Sequence, residues 1–298
     1  MKKVIVTGAN GFIGSSLICK LVENEIEVLA IDISFTNSYL PRSKYITKVE
    51  VGLNSVEELQ ARIPVDTYDV FYHFAWQGVN GVDKANLSVQ LSNIQMAMNC
   101  ATVAKNVGCM KILCAGSIAE HVVGSLQRIE HTNGGMIYGV AKHCTHLMLE
   151  TYCKNIGLNF VWMQFSNIYG PNNKTGNLVS YTIGELLKGN KATFGPALQP
   201  YDFIFVDDLV EAVYRLGCVK NSSNFYFVGS GEPQILKDYL LEIGKLFEKE
   251  KMIQIGIRPD DGIVYTMDMF DTSVLVSDIG NYISKSFTDG IKLTIENY

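Results

Sequence analysis

Two hydrophobic rhythms alternate along the chain through about residue 165. Short apolar stretches are expected as strands at Val4 to Val6, Glu27 to Ile33, Tyr45 to Val51, Asp69 to Phe74 and Met110 to Ala115, and Asp69 to Phe74 is a continuous apolar run. Runs without polar alternation suit strands covered on both faces by helices, as in a parallel sheet. Between them, apolar residues recur at helical spacing over about 13–23, 55–62, 87–106 and 138–155. This alternation predicts an α/β fold with a doubly wound parallel sheet. Beyond Phe160 to Asn167 the rhythm loosens, and Gly170-Pro171-Asn172-Asn173 marks a turn. The strand-like FIFV and NFYFVG, with helical stretches at Asp207 to Leu216 and Leu236 to Glu248, imply that the chain returns to the sheet while building a smaller lobe. The expected division is 1–170 with 201–229 as the sheet domain, and 171–200 with 230–298 as an interleaved second lobe.

Candidate chemistry begins where the first strand ends, in KVIVTGANGFIG. Gly8 permits a tight strand-to-helix turn, Gly11 lets backbone approach a pyrophosphate, and Gly14 lets the helix pack closely on the strand. The pyrophosphate would lie on the helix N-terminus, where free N–H groups favour an anion. Asp32 closes the next strand, within a few residues of the offset of about 20 at which a carboxylate grips the adenosine ribose hydroxyls. It also repels a 2′-phosphate, and no Arg follows closely, so NAD is expected over NADP. A structural turn and a strand-end loop acid are the bland alternatives. The cofactor residues expected here are Gly8, Asn10, Gly11, Phe12, Ile13, Gly14 and Asp32. Phe74, Ala75 and Trp76 join them from the loop after the Asp69 to Phe74 strand, where ligands of an open α/β sheet collect. His73, inside that strand, reads as a neutral core histidine.

Tyr138 and Lys142 stand four apart on an expected helix, so both side chains leave one face. A phenol is a poor base at neutral pH, and a neighbouring ammonium stabilises its phenolate. Tyr138 is then expected to take a hydroxyl proton as hydride leaves the same carbon, and to return it in reverse. Ser117, at a strand's C-terminal end, would hydrogen-bond the substrate oxygen. A Tyr and Lys at this spacing occur by chance in many helices; their company with the glycine motif and Ser117 raises the catalytic reading.

Taken together, TGANGFIG, Asp32, Ser117, YGVAK and SNIYGP resemble the extended short-chain dehydrogenases/reductases of the nucleotide-sugar epimerase/dehydratase group. YDFIFVDDLVEA and IRPDD, ending at Asp261, match later motifs of that family. The resemblance implies a Rossmann domain binding NAD(P), a C-terminal lobe binding a nucleoside-diphosphate sugar, and Ser117, Tyr138 and Lys142 as the active triad. It further implies Lys142 and Tyr138 at the nicotinamide ribose, Asn93 as the family's helix Asn, and Trp76, Ser117, Asn167, Tyr201 and Arg258 near substrate. Arg258 would hold the diphosphate through its guanidinium fork. The homodimer that the resemblance implies would be joined by helices near Leu87 to Asn106 and Tyr138 to Asn155.

Departures narrow the chemistry. Where the family's 4,6-dehydratases carry two acids after the catalytic hydroxyl residue, this chain has Ile118 and Ala119, and Ala119 also argues against decarboxylation. Tyr201 replaces a frequent Arg, and His121 a usual Tyr. Glu120 and His121 read more readily as a solvated loop pair than as added acid/base groups. Hydride transfer at a sugar carbinol remains, which the resemblance implies is C4, in a 4-epimerase first and a 4-ketoreductase second. A non-catalytic NAD-binding protein on the same fold is the third reading.

Composition adds limits. A net charge of -5 gives no reason to expect nucleic acid or anionic membrane as a partner. No apolar run approaches membrane-spanning length and no export signal opens the chain, so a cytoplasmic protein is expected. Seven cysteines without a CxxC pair read as reduced, buried thiols, with no metal site.

Overall fold

The computed structural model describes residues 1–126, 132–173, 176–220, 222–260, 262 and 264–298. Its first half alternates β1 (Lys3–Thr7), α1 (Phe12–Glu23), β2 (Glu27–Asp32), β3 (Ile46–Glu50), α2 (Val56–Arg62), β4 (Val70–His73), α3 (Leu87–Asn106) and β5 (Lys111–Ala115). A short α4 (Val122–Ser125) precedes the long α5 (Met136–Ile156) and β6 (Asn159–Phe165). Then come β7 (Asn167–Tyr169), α6 (Leu178–Leu187), β8 (Ala192–Thr193), β9 (Pro200–Tyr201), β10 (Phe203–Phe205), α7 (Val206–Cys218) and β11 (Phe225–Val228). The chain closes with β12 (Gln234–Ile235), α8 (Leu236–Leu246), β13 (Ile253–Gln254), α9 (Ser273–Ile279) and α10 (Phe287–Glu296).

Seven strands form the central sheet in the order β11-β6-β5-β4-β1-β2-β3. The pairs from β3 to β6 are parallel, and the amides of Trp162 and Ser166 donate to the carbonyls of Asn224 and Val228 in the same sense at the β11 edge. This is the Rossmann-type sheet that the apolar runs predict. Strand side chains alternate between its faces. One face buries Ile5, Leu29, Phe71 and Ile112 against Leu59 of α2, Met96 and Cys100 of α3, and Leu149 of α5. On the other side α1 meets α7 through the Lys20–Glu211 ion pair at 2.6 Å.

The chain divides into two compact units. The first comprises Met1–Glu120, Asn133–Gln164 and Val210–Tyr226; the second comprises His121–Thr132, Phe165–Leu209 and Phe227–Tyr298. Within the second unit, β7 pairs with β10, β9 with β12 and β8 with β13, in three two-stranded sheets. Of the two later strand-like runs, NFYFVG returns to the central sheet as β11, whereas FIFV does not. Its residues Phe203 and Phe205 instead fill an apolar core with Tyr169, Tyr239, Leu240 and Ile291.

Helices α6, α9 and α10 are absent from the sequence reading, although two carry legible starts. The Asn177 side chain accepts the Ser180 N–H at 2.9 Å, and Ser286 accepts the Asp289 N–H at 3.2 Å, in a Ser-x-x-Asp pattern. Between β6 and β7 stands Ser166, whose hydroxyl donates to the Asp202 carbonyl at 2.7 Å. Cys100, Cys109, Cys114 and Cys153 are buried, but Cys144 and Cys218 are exposed, so the expectation of buried thiols holds only in part. Among the described residues, no helix is long and apolar enough to cross a membrane.

The order reverses between β1 and β4, and at such a switch point two strand ends leave a crevice. There Gly8, at φ +68°, has no room for a side chain, because a Cβ would lie 2.6 Å from the Ala75 nitrogen. A Cβ on Gly14 would lie 2.1 Å from the Gly8 carbonyl oxygen. Gly14→Ala is therefore expected to destabilise the protein by about 1–3 kcal/mol through backbone displacement. Chemical denaturation checks this, and an unchanged midpoint would refute the contact.

Candidate active site

A cavity of about 340 Å³ opens at the switch point, lined by Gly8, Asn10, Gly11, Asp32, Phe74, Ala75 and Trp76 among others. Phe12, Ile13 and Gly14 lie in the first turn of α1 instead, and Asn93 stands one layer behind. Asp32 accepts the Asn10 N–H at 2.8 Å and the Ile33 N–H at 2.8 Å, which fixes its carboxylate at the end of β2. Opposite it in register is Glu50, which accepts the Phe35 N–H at 2.7 Å. The Asp32 carboxylate at this rim suits ribose hydroxyls and opposes a 2′-phosphate. A backbone turn free of side chains, a helix N-terminus and a fixed carboxylate thus fit a dinucleotide, by the donor set itself.

The loop after β4 is held from behind. Asn93 donates to the Gln77 carbonyl at 2.8 Å and accepts its N–H at 2.9 Å. Gln90 accepts the Trp76 indole N–H at 3.0 Å. Asn93 is buried, so it acts on the crevice by way of this loop. His73 is a core histidine: its Nδ1 lies 2.8 Å from the Thr7 hydroxyl, and burial, aided by the Lys142 charge, pushes it down to about 3.

Ser117, Tyr138 and Lys142 come together at the C-terminal end of β5. Tyr138 is buried, with the Ser117 side chain close enough to favour its phenolate. Lys142 is 3% exposed, donates to the Ala115 carbonyl at 2.6 Å, and holds its ammonium 3.7 Å from the centre of the Trp76 ring. Trp76 in turn meets Tyr138 edge-on, with ring centroids 6.2 Å apart. One feature differs from the expectation of a phenolate held by Lys142. Burial pushes the Tyr138 phenol up to about 12, the nearby Ser117 side chain opposes this and the Glu120 charge adds to it. The neutral phenol is therefore the resting form. Lys84, which no sequence pattern singled out, places a second cation 5.3 Å from the Tyr138 ring centre.

Glu120 overturns the reading of a solvated loop pair, because it is only 2% exposed. Its carboxylate accepts the Ser117 N–H at 2.6 Å, and the Ser117 hydroxyl oxygen accepts the Ala119 N–H at 3.2 Å. This is a capping box, and the run SIAE spells its Ser-x-x-Glu signature in the sequence. Both carboxylate oxygens also accept the Trp162 indole N–H at 3.1 Å, and the Gln164 side chain lies near enough to favour the carboxylate. Gly116 makes the packing possible: a Cβ there would lie 2.4 Å from the Trp162 indole nitrogen. Burial raises the Glu120 carboxyl, against the Ser117 N–H and the Lys142 charge, and burial lowers Lys142, against the Glu120 charge.

In the second unit, the Tyr201 hydroxyl donates to Asn167 at 3.0 Å, and Asn167 donates to the Asp202 carbonyl at 3.1 Å. Arg258 is exposed and held by other partners, donating to the Tyr181 hydroxyl at 2.7 Å and to the Thr193 hydroxyl at 2.9 Å. Asp261, the end of the IRPDD motif, lies outside the described residues. His121 packs edge-on to Tyr265, at 6.5 Å between ring centroids.

Residues 4–226 match the model of the NAD dependent epimerase/dehydratase family, and the chain belongs to that family. It is an enzyme of the extended short-chain dehydrogenase/reductase type. It is 26% identical to a putative UDP-glucose 4-epimerase of Methanocaldococcus jannaschii, over 88% of each chain. It is also 26% identical to the dTDP-6-deoxy-L-talose 4-dehydrogenase (NAD(+)) of Aggregatibacter actinomycetemcomitans, over 78% of this chain and 86% of the other. The UDP-glucose 4-epimerase of Thermotoga maritima, solved with UDP-glucose, shares the fold at a TM-score of 0.81 and 19% identity, over 99% of this chain and 97% of that one.

Asp32→Asn keeps the shape of the rim and removes one charge. It is expected to weaken NAD binding by about tenfold or more, as lost hydrogen bonds to a charged group do, and to narrow the preference over NADP. Cofactor titration by fluorescence or calorimetry measures both, and an unaltered ratio would argue against this role.

Proposed function

We propose that this enzyme transfers hydride to and from C4 of a nucleoside-diphosphate hexose, with NAD as its cofactor, and acts as a 4-epimerase. The observation that carries the reading is the buried Tyr138 beside Ser117 and Lys142, with the Lys142 ammonium resting on the same Trp76 that lines the Gly8–Asp32 cavity. Bound NAD would accept hydride from the sugar carbinol and return it. Ser117 would hold the substrate oxygen, and Tyr138 would take and give back its proton. Lys142 would lower the cost of the phenolate and hold the nicotinamide ribose. Ile118, buried, and Ala119 offer no acid for water elimination or decarboxylation. Asn167, Tyr201 and Arg258 would meet the sugar nucleotide, with Arg258 at its diphosphate.

Because the 4-dehydrogenase relative is as similar as the epimerase one, a 4-ketoreductase is the second reading. Both need the same proton transfer; they differ in whether the cofactor is consumed. We further propose a homodimer through α3 and α5, whose Leu87, Leu91, Leu147 and Met148 are exposed apolar side chains in support of a shared surface. A cytoplasmic setting follows from the substrate class proposed.

Tyr138→Phe is expected to lower turnover by about 10²- to 10⁴-fold, the usual worth of a positioned proton donor, while NAD affinity stays nearly intact. Retained turnover would refute the assignment. Purified protein that carries NAD and interconverts nucleotide hexoses without added cofactor identifies the epimerase, whereas stoichiometric oxidation of NADH by a 4-keto sugar nucleotide identifies the reductase. Light scattering after size exclusion should give twice the chain mass, and Leu147→Glu should return it to one.

A further inference from the structure

A buried carboxylate one helical turn from the proposed catalytic serine calls for an explanation beyond capping. Capping boxes ordinarily lie at solvent-facing helix starts, where the acid keeps its hydration. Glu120 has given up water, at 2% exposure, and has replaced it with the Ser117 N–H and the Trp162 indole N–H. Those donors are neutral, and no arginine or lysine lies within ion-pair distance of it among the described residues. Desolvating a carboxylate is costly unless a compensating charge is close. The buried cation whose field reaches it is Lys142, whose ammonium makes no ion pair among the described residues and is met by the Ala115 carbonyl and the Trp76 and Trp162 rings.

We propose that Glu120 is a positioning residue of this site: its carboxylate pins the Ser117 loop, and its negative charge holds Lys142 as the ammonium. The inference rests on the reading of Ser117, Tyr138 and Lys142 as the catalytic group and deepens it. A chain without this acid would leave a buried lysine to lose its proton near neutrality, because burial alone drives Lys142 downward. With it, the ammonium needed beside Tyr138 persists to higher pH. The other titratable groups around the pair are few. From α5 come Tyr138 and His146, the latter with Nδ1 3.9 Å from Glu120 and its ring stacked on Trp162 at 5.0 Å. Cys114 of β5 and His73 of β4 face Lys142 and are held neutral by burial. From β6 only the neutral Trp162 and Gln164 face the carboxylate.

Glu120→Gln separates capping from charge, because Gln serves at this position of a capping box as Glu does. The protein is labelled at lysine Cε, and the Lys142 resonance, assigned by its loss in Lys142→Met, is titrated by NMR without substrate. The Lys142 midpoint in Glu120→Gln is expected to fall by about one pH unit or more, and in turnover assays the alkaline limb should retreat equally. An unmoved midpoint overturns the proposal. If Glu120→Gln fails to fold, the Glu120 carboxyl is titrated in wild type and in Lys142→Met. Its midpoint should rise in Lys142→Met, and an unchanged value overturns the proposal. Both titrations are read without turnover, so an inactive enzyme would refute the proposed reaction and leave this test standing.

Discussion

The site depends on how closely two backbones approach at the switch point. The turn after β1 and the loop after β4 pass so near each other that a single Cβ on Gly8 would strike Ala75. That approach places the α1 N-terminus, the Asp32 carboxylate and Trp76 around one cavity. Trp76 is the link onward, because its ring carries the Lys142 ammonium and abuts Tyr138. A change in sheet order thus becomes a chemical arrangement through contacts that need no long-range coordination.

Much of this was legible in the residues. The central sheet follows from runs such as VFYH, whose β-branched and aromatic content at strand length admits few alternatives once helical stretches separate them. The glycine positions were readable because each answers to a separate steric demand. What escaped were side chains whose role depends on burial. Glu120 looks like a loop acid beside His121, and only the fold shows that it faces Trp162 and not water. The SIAE pattern announced its capping geometry, but a pattern cannot report whether a cap is wet. Tyr181 and Thr193, which orient Arg258, stand far from it in sequence and carry no signature. The loosened rhythm after Asn167 has a physical basis too: β8, β9, β12 and β13 are two residues each, too short for any period to appear.

The electrostatics of the first unit also correct a simple picture of a Tyr-Lys pair. Burial raises the phenol and lowers the amine at once, so each is driven toward its neutral form. Chemistry at such a site depends on added charges, from Glu120, from Lys84 near the Tyr138 ring, and from a cofactor when it binds. Membership of the family supplies the scaffold; these surrounding groups set the protonation states with which the scaffold starts.

The chain contains two tryptophans, and both lie against Lys142, Trp76 at 3.7 Å and Trp162 at 5.9 Å from its ammonium. One also abuts a tyrosine and the other is stacked beneath an imidazole. Intrinsic indole emission from this protein is consequently a local optical gauge of the charges gathered around Lys142, Glu120 and His146.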